Sequence, residues 1–175
     1  MKKNILMVLV ALLLLTGCEK KVDCNPKKSE NVGNVCNLKE SKEELPSLDF
    51  LLLGLMSANI RNEQFEGLKI YTFDAVTKNN GEVIKHNYTG IKLKDFLEKQ
   101  NITFDKKFGS LVFSSVNYTK VEYKKEDIDD NMWLVFQIDN KEIKLNDNKS
   151  YLTLINTELD TNSWAYGIQN IIIKK

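Results

Sequence analysis

The sequence predicts an α+β domain over residues 48–175, built as a β-dominated mixed sheet or flattened barrel with one or two short helices. Three observations predict this class. Several short runs rich in β-branched and aromatic residues are separated by turn signals. The tripeptide at 79–81, Asn-Asn-Gly, marks a tight hairpin because Asn and Gly tolerate positive φ. Only one segment, Lys92 to Gln100, has clear helical periodicity.

The first 18 residues have the pattern of a signal sequence followed by a cysteine. Lys2 and Lys3 form a positive n-region, and Ile5 to Leu15 is an unbroken apolar run of the length typical of a signal peptide. A membrane-spanning helix needs about 20 apolar residues, so this run is too short to span. The tetrapeptide at 15–18, Leu-Thr-Gly-Cys, closes the run and resembles the lipobox of bacterial lipoproteins.

The lipobox resemblance implies that residues 1–17 are removed as a lipoprotein signal peptide and that Cys18 takes up a diacylglyceryl group. One acyl chain binds a membrane only marginally, whereas two hold it stably, so such a cysteine is a lasting anchor. We therefore expect a palmitate-bearing lipoprotein on the extracytoplasmic side of a bacterial cell membrane. An ordinary secretory signal with a chance cysteine is the alternative.

Residues 18–47 are predicted to be the lipidated cysteine followed by a flexible tether. The segment from Glu19 to Pro46 is rich in Lys, Glu, Asn and Ser, so it cannot bury enough apolar surface to offset the entropy of ordering. It contains Cys24 and Cys36, which could close a small loop as a disulfide outside the cytoplasm. Idle thiols, intermolecular pairing and a functional thiol pair are the alternatives.

The first half of the domain is predicted to alternate strands and turns. Leu48 to Met56 is almost wholly apolar and is either a buried strand or a short helix, and its interior Gly54 favours a strand. Arg61 to Gly67 is a polar link with at most one helical turn. Leu68 to Thr77 and Glu82 to Tyr88 are expected to form the two arms of a hairpin.

The second hairpin arm is expected to break at residues 89–90, Thr-Gly, and a short amphipathic helix follows. Leu93, Phe96 and Leu97 lie on one face of that helix because of their i, i+3, i+4 spacing. Turns are expected at residues 126–129 and 139–141. The remaining strands are predicted over Leu111 to Val116, Val121 to Tyr123, Trp133 to Ile138, Tyr151 to Ile155 and Gln169 to Ile173.

Residues 88–97, Tyr-Thr-Gly-Ile-Lys-Leu-Lys-Asp-Phe-Leu, resemble a signature of the sulfite-oxidase-type molybdopterin-binding domain. In that family an aromatic residue, Gly-Val and spaced leucines lead from a strand into a short helix. Tyr123 to Asp129, Trp133 to Leu145 and Trp164 to Ile173 resemble later parts of the domain in the same order. The resemblance covers residues 48–175 and implies the same fold.

The resemblance also implies a chemistry for which this chain lacks the residues. Family members bind molybdenum through a cysteine thiolate upstream of the Tyr-Thr-Gly segment, but this chain has no cysteine after Cys36. Family arginines hold the dianionic phosphate and the substrate oxyanion, and Arg61 is the only arginine here. A Gly-Pro-Arg run before the penultimate strand is replaced by Asn146 to Ser150. A standard molybdenum oxidoreductase is therefore not expected.

No catalytic, metal-binding or cofactor-binding set can be named from the sequence. His86 is the only histidine, so we expect a structural or surface role rather than a metal site. Asp129 and Asp130 are adjacent carboxylates that we expect in a solvated turn. Asp74 lies in a strand-like run, where it either faces solvent by alternation or lines a cleft.

Charge and aromatic content narrow the kinds of partner. The formal net charge is +1, so there is no global attraction to nucleic acid. Trp133 and Trp164 are expected to anchor the core rather than to stack on a ligand, because large aromatic side chains dominate core burial.

The leading functional hypothesis is a lipid-anchored, extracytoplasmic binding or interaction module on a non-catalytic scaffold like the molybdopterin-binding domain. Its partners would be the membrane, through Cys18, and a small molecule, a peptide or an envelope protein. No cofactor is expected. The alternatives are an oxidoreductase that binds molybdopterin or a metal through atypical ligands, and a structural envelope lipoprotein cross-linked through its tether cysteines.

Overall fold

The computed structural model describes residues 35–54, 58–79, 82–102, 108–159 and 161–175. Within them the chain forms eleven β-strands, one α-helix and three short 3-10 turns. The strands lie in two sheets that do not close on themselves. The predicted α+β class and its mixed-sheet form are therefore confirmed, whereas a flattened barrel is not formed. No helix in this part of the chain is long and apolar enough to cross a membrane.

The elements follow one another with short connections. In chain order they are β1 (Val35–Glu40), β2 (Phe50–Leu53), β3 (Ala58–Ile60), β4 (Tyr71–Asn79), β5 (Glu82–Lys92), α1 (Leu93–Lys99), β6 (Ser110–Ser115), β7 (Lys120–Lys124), β8 (Met132–Ile138), β9 (Lys141–Glu142), β10 (Thr153–Asn156) and β11 (Ile168–Lys174). The 3-10 turns cover Asn62–Phe65, Lys125–Asp127 and Thr161–Ser163.

The two sheets differ in how they are connected. The first sheet has the strand order β1, β4, β5, β8, β10, with β9 added beside β8, and its neighbours are antiparallel. The second sheet has the order β3, β2, β11, β6, β7. Strands β2 and β11 in its centre are parallel, while its other pairs are antiparallel. Strand β2, near the start of the described chain, thus meets β11, at its end, in the second sheet.

The main hydrophobic core lies between the two sheets. Leu52 and Ile171 face it from the second sheet, Leu134 and Phe136 face it from the first, and all four are fully buried. The three apolar residues of the predicted helix face are also fully buried there. Burial of apolar surface at about 25 cal/mol per Å² is what holds these layers together.

A second apolar cluster lies on the opposite face of the first sheet. Trp133 and Val135 belong to it, and they alternate along β8 with residues of the main core, so β8 is buried on both faces. Trp164 covers the cluster, is 5% exposed, and donates its indole N–H to the carbonyl of Asn156 at 3.0 Å. Both tryptophans are core anchors, as predicted.

The predicted tether, residues 18–47, is wrong for its second part, because residues 35–40 form β1 on the edge of the first sheet. The four residues after Cys36 in β1 are exposed, so this strand is held by backbone hydrogen bonds to β4 rather than by apolar burial. Asn62 then accepts the backbone N–H of Leu48 at 2.9 Å and donates to the carbonyl of Pro46 at 3.0 Å. The folded domain therefore includes residues 35–47.

The predicted strand break at residues 89–90 is also wrong. Strand β5 continues to Lys92, with a register shift against β8 between Thr89 and Gly90. A side chain at Gly90 would put its Cβ 2.4 Å from the carbonyl oxygen of Leu134. The glycine therefore allows the two backbones to approach closely at a bulge, and it does not end the strand.

The other predicted elements are confirmed, with small differences in their ends. The strand interpretation of Leu48 to Met56 is confirmed by β2, although residues 55–57 lie outside the described part. Asn79 pairs with Glu82, as the predicted hairpin requires, and residues 80–81 between them also lie outside it. Asp139 and Asn140 form a tight turn with positive φ values of 52° and 60°.

Candidate functional site

A cleft of about 760 Å³ opens on the outer face of the second sheet. Strands β2, β3 and β11 form its floor, and the loop before β10 forms a wall. Leu51 in the floor is 41% exposed, whereas its neighbours in β2 are buried in the main core. The cleft therefore faces solvent. We call it the amide cleft after four carboxamide side chains that line it: Asn59, Asn148, Gln169 and Asn170.

Strand register places two of these amides in one row across the floor. Leu51 pairs with Asn59 of β3 on one side and with Asn170 of β11 on the other. Neighbouring strands lie about 4.8 Å apart, so the two asparagine backbones are roughly 10 Å apart. The row therefore presents an amide, an exposed leucine and a second amide to whatever enters the cleft.

The wall of the cleft is held by the side chain of Asp147. Its Oδ1 accepts the backbone N–H of Lys149 at 3.1 Å, and its Oδ2 accepts the hydroxyl of Tyr151 at 2.7 Å. The bond from Tyr151 is the main reason why the pKa of Asp147 is lowered, and the same bond raises the pKa of Tyr151. Ser150 in this wall donates its hydroxyl to Glu142 of β9. These contacts give the wall a defined shape.

The four carboxamides of the amide cleft have no hydrogen-bond partner for their side chains among the described residues. Among the described lining residues, only Asp49 and Lys149 carry formal charges, and these are opposite. An amide offers one acceptor oxygen and two donor hydrogens. The described lining is thus rich in neutral donors and acceptors, and its two formal charges are opposite.

None of the four carboxamides of the amide cleft was predicted from the sequence to be a site residue. A signal was available, because Asn is depleted in strands. Asn59 lies between two apolar residues of β3, and Asn170 precedes three isoleucines of β11. The local sequence does not show that β3 and β11 both pair with β2. Strands β2 and β11 are far apart in the sequence, and their pairing forms only in the folded domain.

Two smaller pockets lie elsewhere. One, of about 480 Å³, is lined by Lys94, Glu98, Lys125, Glu126 and Ile128. The other, of about 550 Å³, lies beside β7 and contains several carboxylates. Within the described ranges, no group of three or more His, Cys, Asp or Glu side chains is placed so that it could hold a metal ion. Neither pocket combines free amides with a fixed wall.

His86 lies in β5 of the first sheet and is not among the residues that line the amide cleft. Its Nδ1 is 2.7 Å from Oδ2 of Asp139, and its ring meets the ring of Tyr88 edge-on at a centroid distance of 6.0 Å. The His86 side chain is 33% exposed. It therefore ties the turn after β8 to β5.

Asp74 is partly exposed and is not among the residues that line the amide cleft. Its carboxylate is 17% exposed and lies 3.3 Å from Nζ of Lys85. It also accepts the side-chain amides of Asn37 and Asn87, each at 2.8 Å. Burial opposes ionisation, but these hydrogen bonds overcome it and lower the pKa of Asp74. Asp74 thus fastens β1 to β4 and β5.

The adjacent carboxylates Asp129 and Asp130 lie in the turn before β8, as predicted. Asp129 is partly buried and accepts the backbone N–H of Asn131 at 2.8 Å. Asp130 is 74% exposed and lies 3.2 Å from Nζ of Lys94. The two side chains therefore have separate partners.

The cysteines divide between the described and the undescribed parts of the chain. Cys36 lies in β1, is 6% exposed and is disulfide-bonded. Cys18, the predicted lipidation site, and Cys24, the predicted partner of Cys36, lie outside the described residues. The pairing of Cys24 with Cys36 thus stays a prediction, while the sulfur of Cys36 is not a free thiolate.

The amide cleft contains part of the segment that departs from the family resemblance. Asn148, Lys149 and Ser150 line it, and they belong to the stretch that stands in place of the family's Gly-Pro-Arg run. Arg61 does not line the cleft. With one ammonium group, one carboxylate and no arginine or free thiolate, the described lining does not fit an anionic, thiolate-ligated molybdenum cofactor.

Comparison with known proteins supports the fold. The sulfane dehydrogenase SoxCD of Paracoccus pantotrophus superimposes with a TM-score of 0.57 and 13% sequence identity. This chain shares the fold of the matched part of that protein. The match covers 72% of this chain but 38% of that one, so the chain spans well under half of its neighbour. No protein-family model matches the sequence, and no curated protein matches it significantly.

At 13% identity the likeness to sulfane dehydrogenase shows the fold and not the activity. It supports the predicted class, an α+β domain like the molybdopterin-binding domain. Different functions recur on one fold, so this likeness assigns neither an activity nor a ligand to the chain.

Proposed function

We propose that this chain is a lipid-anchored, extracytoplasmic binding protein that holds its ligand in the amide cleft and does not catalyse a reaction. The observation that supports the binding role is the set of four carboxamides without partners in the described residues, which line one cleft with a fixed wall. Clefts of about 300–1,000 Å³ with a few convergent polar groups are typical ligand sites.

The chemistry of the lining favours binding over catalysis. Carboxamides neither gain nor lose protons near neutral pH, so they orient a ligand but do not serve as general acids or bases. The charged lining residues, Asp49 and Lys149, are not joined by an ion pair in the described structure. A histidine that could complete a catalytic set is absent from the described lining, since His86 pairs with Asp139.

The oxidoreductase alternative finds less support. A phosphate-bearing pterin is held best by arginines, whose planar fork matches the phosphate oxygens. The described lining of the amide cleft offers Lys149 alone, opposed by the carboxylate of Asp49. The disulfide also removes Cys36 as a metal ligand. An atypical oxidoreductase would therefore need ligands that the described cleft does not contain.

The membrane anchor rests on residues 1–18 of the sequence. Lys2, Lys3, the apolar run and the Leu-Thr-Gly-Cys tetrapeptide follow in the order of a lipoprotein signal. A Cys18→Ser variant should neither incorporate labelled fatty acid nor partition with membranes, because a hydroxyl does not form the thioether. A variant that does both would disprove the anchor.

The binding role is tested with the full chain purified in detergent from its native host. We expect neither stoichiometric molybdenum or tungsten nor a fluorescent pterin. In a thermal-shift screen of a metabolite library, a ligand at ten times its Kd should raise the Tm by about 4 °C. The matched variant Asn170→Ala should lose this shift, whereas Gln137→Ala, an amide change in the first sheet, should keep it.

Two results would contradict the proposal. Stoichiometric molybdenum or tungsten with a pterin would make the oxidoreductase alternative the correct one. A metabolite that raises the Tm of the unmodified chain and of Asn170→Ala equally would place binding outside the amide cleft.

A further inference from the structure

We infer that the amide cleft takes a neutral, hydroxyl-rich ligand, an oligosaccharide, rather than a phosphate or another anion. This inference rests on the proposed function and names the class of ligand for the same site. It follows from the charge balance, the hydrogen-bonding groups and the apolar floor of the cleft.

The charge balance of the cleft disfavours an anionic ligand. Lys149 is the only cationic side chain in the described lining, and Asp49 is the only anionic one. Among the described lining residues a dianion would face one ammonium group and one carboxylate, and the Asp147 carboxylate lies behind Tyr151, so these residues provide no net attraction to offset its desolvation. A neutral ligand has a much smaller free-energy cost of desolvation.

The hydrogen-bonding groups of the cleft match hydroxyls. Each hydroxyl has one donor hydrogen and two acceptor lone pairs, and each carboxamide has both kinds of group. One amide can therefore accept from one sugar hydroxyl and donate to the next. Asn59, Asn148, Gln169 and Asn170 supply four such groups, and no described residue competes for them.

The apolar part of the floor matches the carbon-bearing face of a sugar ring. Leu51 lies between Asn59 and Asn170 in the row and is 41% exposed. Tyr151 adds an aromatic ring at the wall, and its hydroxyl is fixed on Asp147. The two asparagine backbones are roughly 10 Å apart. This spacing exceeds one ring, so a ligand with several rings can engage both amides at once.

The experiment uses the full chain in detergent and three kinds of probe. The probes are neutral trisaccharides (cellotriose, maltotriose and the trimer of N-acetylglucosamine), inorganic phosphate and an uncharged tetrapeptide. Binding is measured by saturation-transfer NMR and by calorimetry. We expect at least one trisaccharide to bind with a Kd below about 1 mM, while phosphate does not bind.

Variants then place the binding in the cleft. Asn59→Ala and Asn170→Ala should each raise the Kd of the trisaccharide about tenfold. Each change removes the hydrogen-bond partner of a ligand hydroxyl that stays buried. Gln137→Ala, an amide change in the first sheet, should alter the Kd by less than about twofold. Circular dichroism checks that every variant is folded.

The failures of the two proposals can be told apart. If phosphate or the tetrapeptide binds and Asn170→Ala abolishes that binding, the saccharide class is wrong but the amide cleft is still a binding site. If no trisaccharide binds, or if one binds equally to all variants, the saccharide inference is overturned. The proposed binding function fails as well if the metabolite screen also finds no ligand that depends on Asn170, or if the chain carries molybdenum or tungsten with a pterin.

Discussion

The carboxylate of Asp139 joins two strands of the first sheet. Its Oδ2 lies 2.7 Å from Nδ1 of His86, and its Oδ1 accepts the backbone N–H of Asn87 at 3.0 Å. Burial opposes ionisation of this carboxyl, but the hydrogen bonds from Asn87 and His86 outweigh burial and lower the pKa of Asp139. The turn after β8 is thus fastened to β5 by a charged group.

The lowered pKa of Asp139 predicts how stability depends on pH. A carboxyl whose pKa is depressed by folding stabilises the native state above its unfolded pKa of about 3.9, and this stabilisation is lost as the pH falls through the lower folded value. Asp139→Asn keeps the shape of the side chain, and Asn also tolerates positive φ. The variant should therefore lose only the stabilisation that comes from the carboxylate charge, about 0.5 kcal/mol at a half-exposed site. Urea unfolding between pH 3 and 7 measures it. If the free energy of unfolding falls between pH 7 and 3 as much in the variant as in the unmodified chain, the prediction is wrong.

Two buried tyrosines predict different effects of the same substitution on stability. The hydroxyl of Tyr88 is fully buried without a hydrogen-bond partner among the described residues, and burial raises the pKa of Tyr88. Tyr88→Phe should therefore change stability by less than about 0.5 kcal/mol or raise it.

Tyr123 is the matched control for that substitution. Its hydroxyl donates to the carbonyl of Ser163, and burial raises the pKa of Tyr123 to about 12. Tyr123→Phe should cost about 1 kcal/mol, since it leaves a carbonyl acceptor unpaired. Chemical denaturation compares the two variants. A larger loss for Tyr88→Phe would indicate a buried water or ligand on that hydroxyl.

The bulge in β5 predicts a large effect of adding one methyl group. A Cβ at Gly90 would lie 2.4 Å from the carbonyl oxygen of Leu134 and 2.7 Å from Cα of Val135, both backbone atoms that cannot yield easily. Gly90→Ala should therefore destabilise the domain by about 3 kcal/mol.

The control for that change is Gly67→Ala. Gly67 has a φ of +80°, but no heavy atom lies within 4 Å of the position that a Cβ would take there, so only backbone strain is expected. That strain should cost about 1 kcal/mol. Thermal unfolding of both variants measures the difference. Equal losses would show that the two strands can separate at Gly90 without penalty.

The disulfide at Cys36 predicts how much stability the start of the domain loses when this bond is removed. Strand β1 buries little apolar surface, so Cys36→Ser should cost about 2–3 kcal/mol and should speed hydrogen exchange in β1 before other strands. Peptide mapping without reductant should find Cys36 linked to Cys24. Dimers that collapse under reductant would instead support the cross-linked envelope lipoprotein.

The elements that were predicted correctly are those with strong local signals. Helix α1 follows from the i, i+3, i+4 spacing of its three buried residues, and the β4–β5 hairpin follows from turn residues between two β-branched runs. Asp139 and Asn140 form the expected turn, because both residue types tolerate positive φ. In each case the signal lies within a short stretch of chain.

The elements that were missed depend on partners that are distant in sequence. Residues 35–40 have the composition of a linker, but β4 supplies backbone hydrogen bonds and a disulfide fixes Cys36. The dipeptide at 89–90 has the composition of a strand break, but the approach of β8 turns it into a bulge. Neither contact can be predicted from the local composition of the chain.

By itself the sequence determined the α+β class, the helix and most strands, because periodicity and turn residues act locally. The lipid anchor at Cys18 stays a prediction. The tertiary structure alone decided the amide cleft. Parallel pairing of β2 with β11 brings Asn59, Leu51 and Asn170 into one row, and Asp147 holds the wall beside it. A binding surface assembled from both ends of the domain exists only after the sheet has formed.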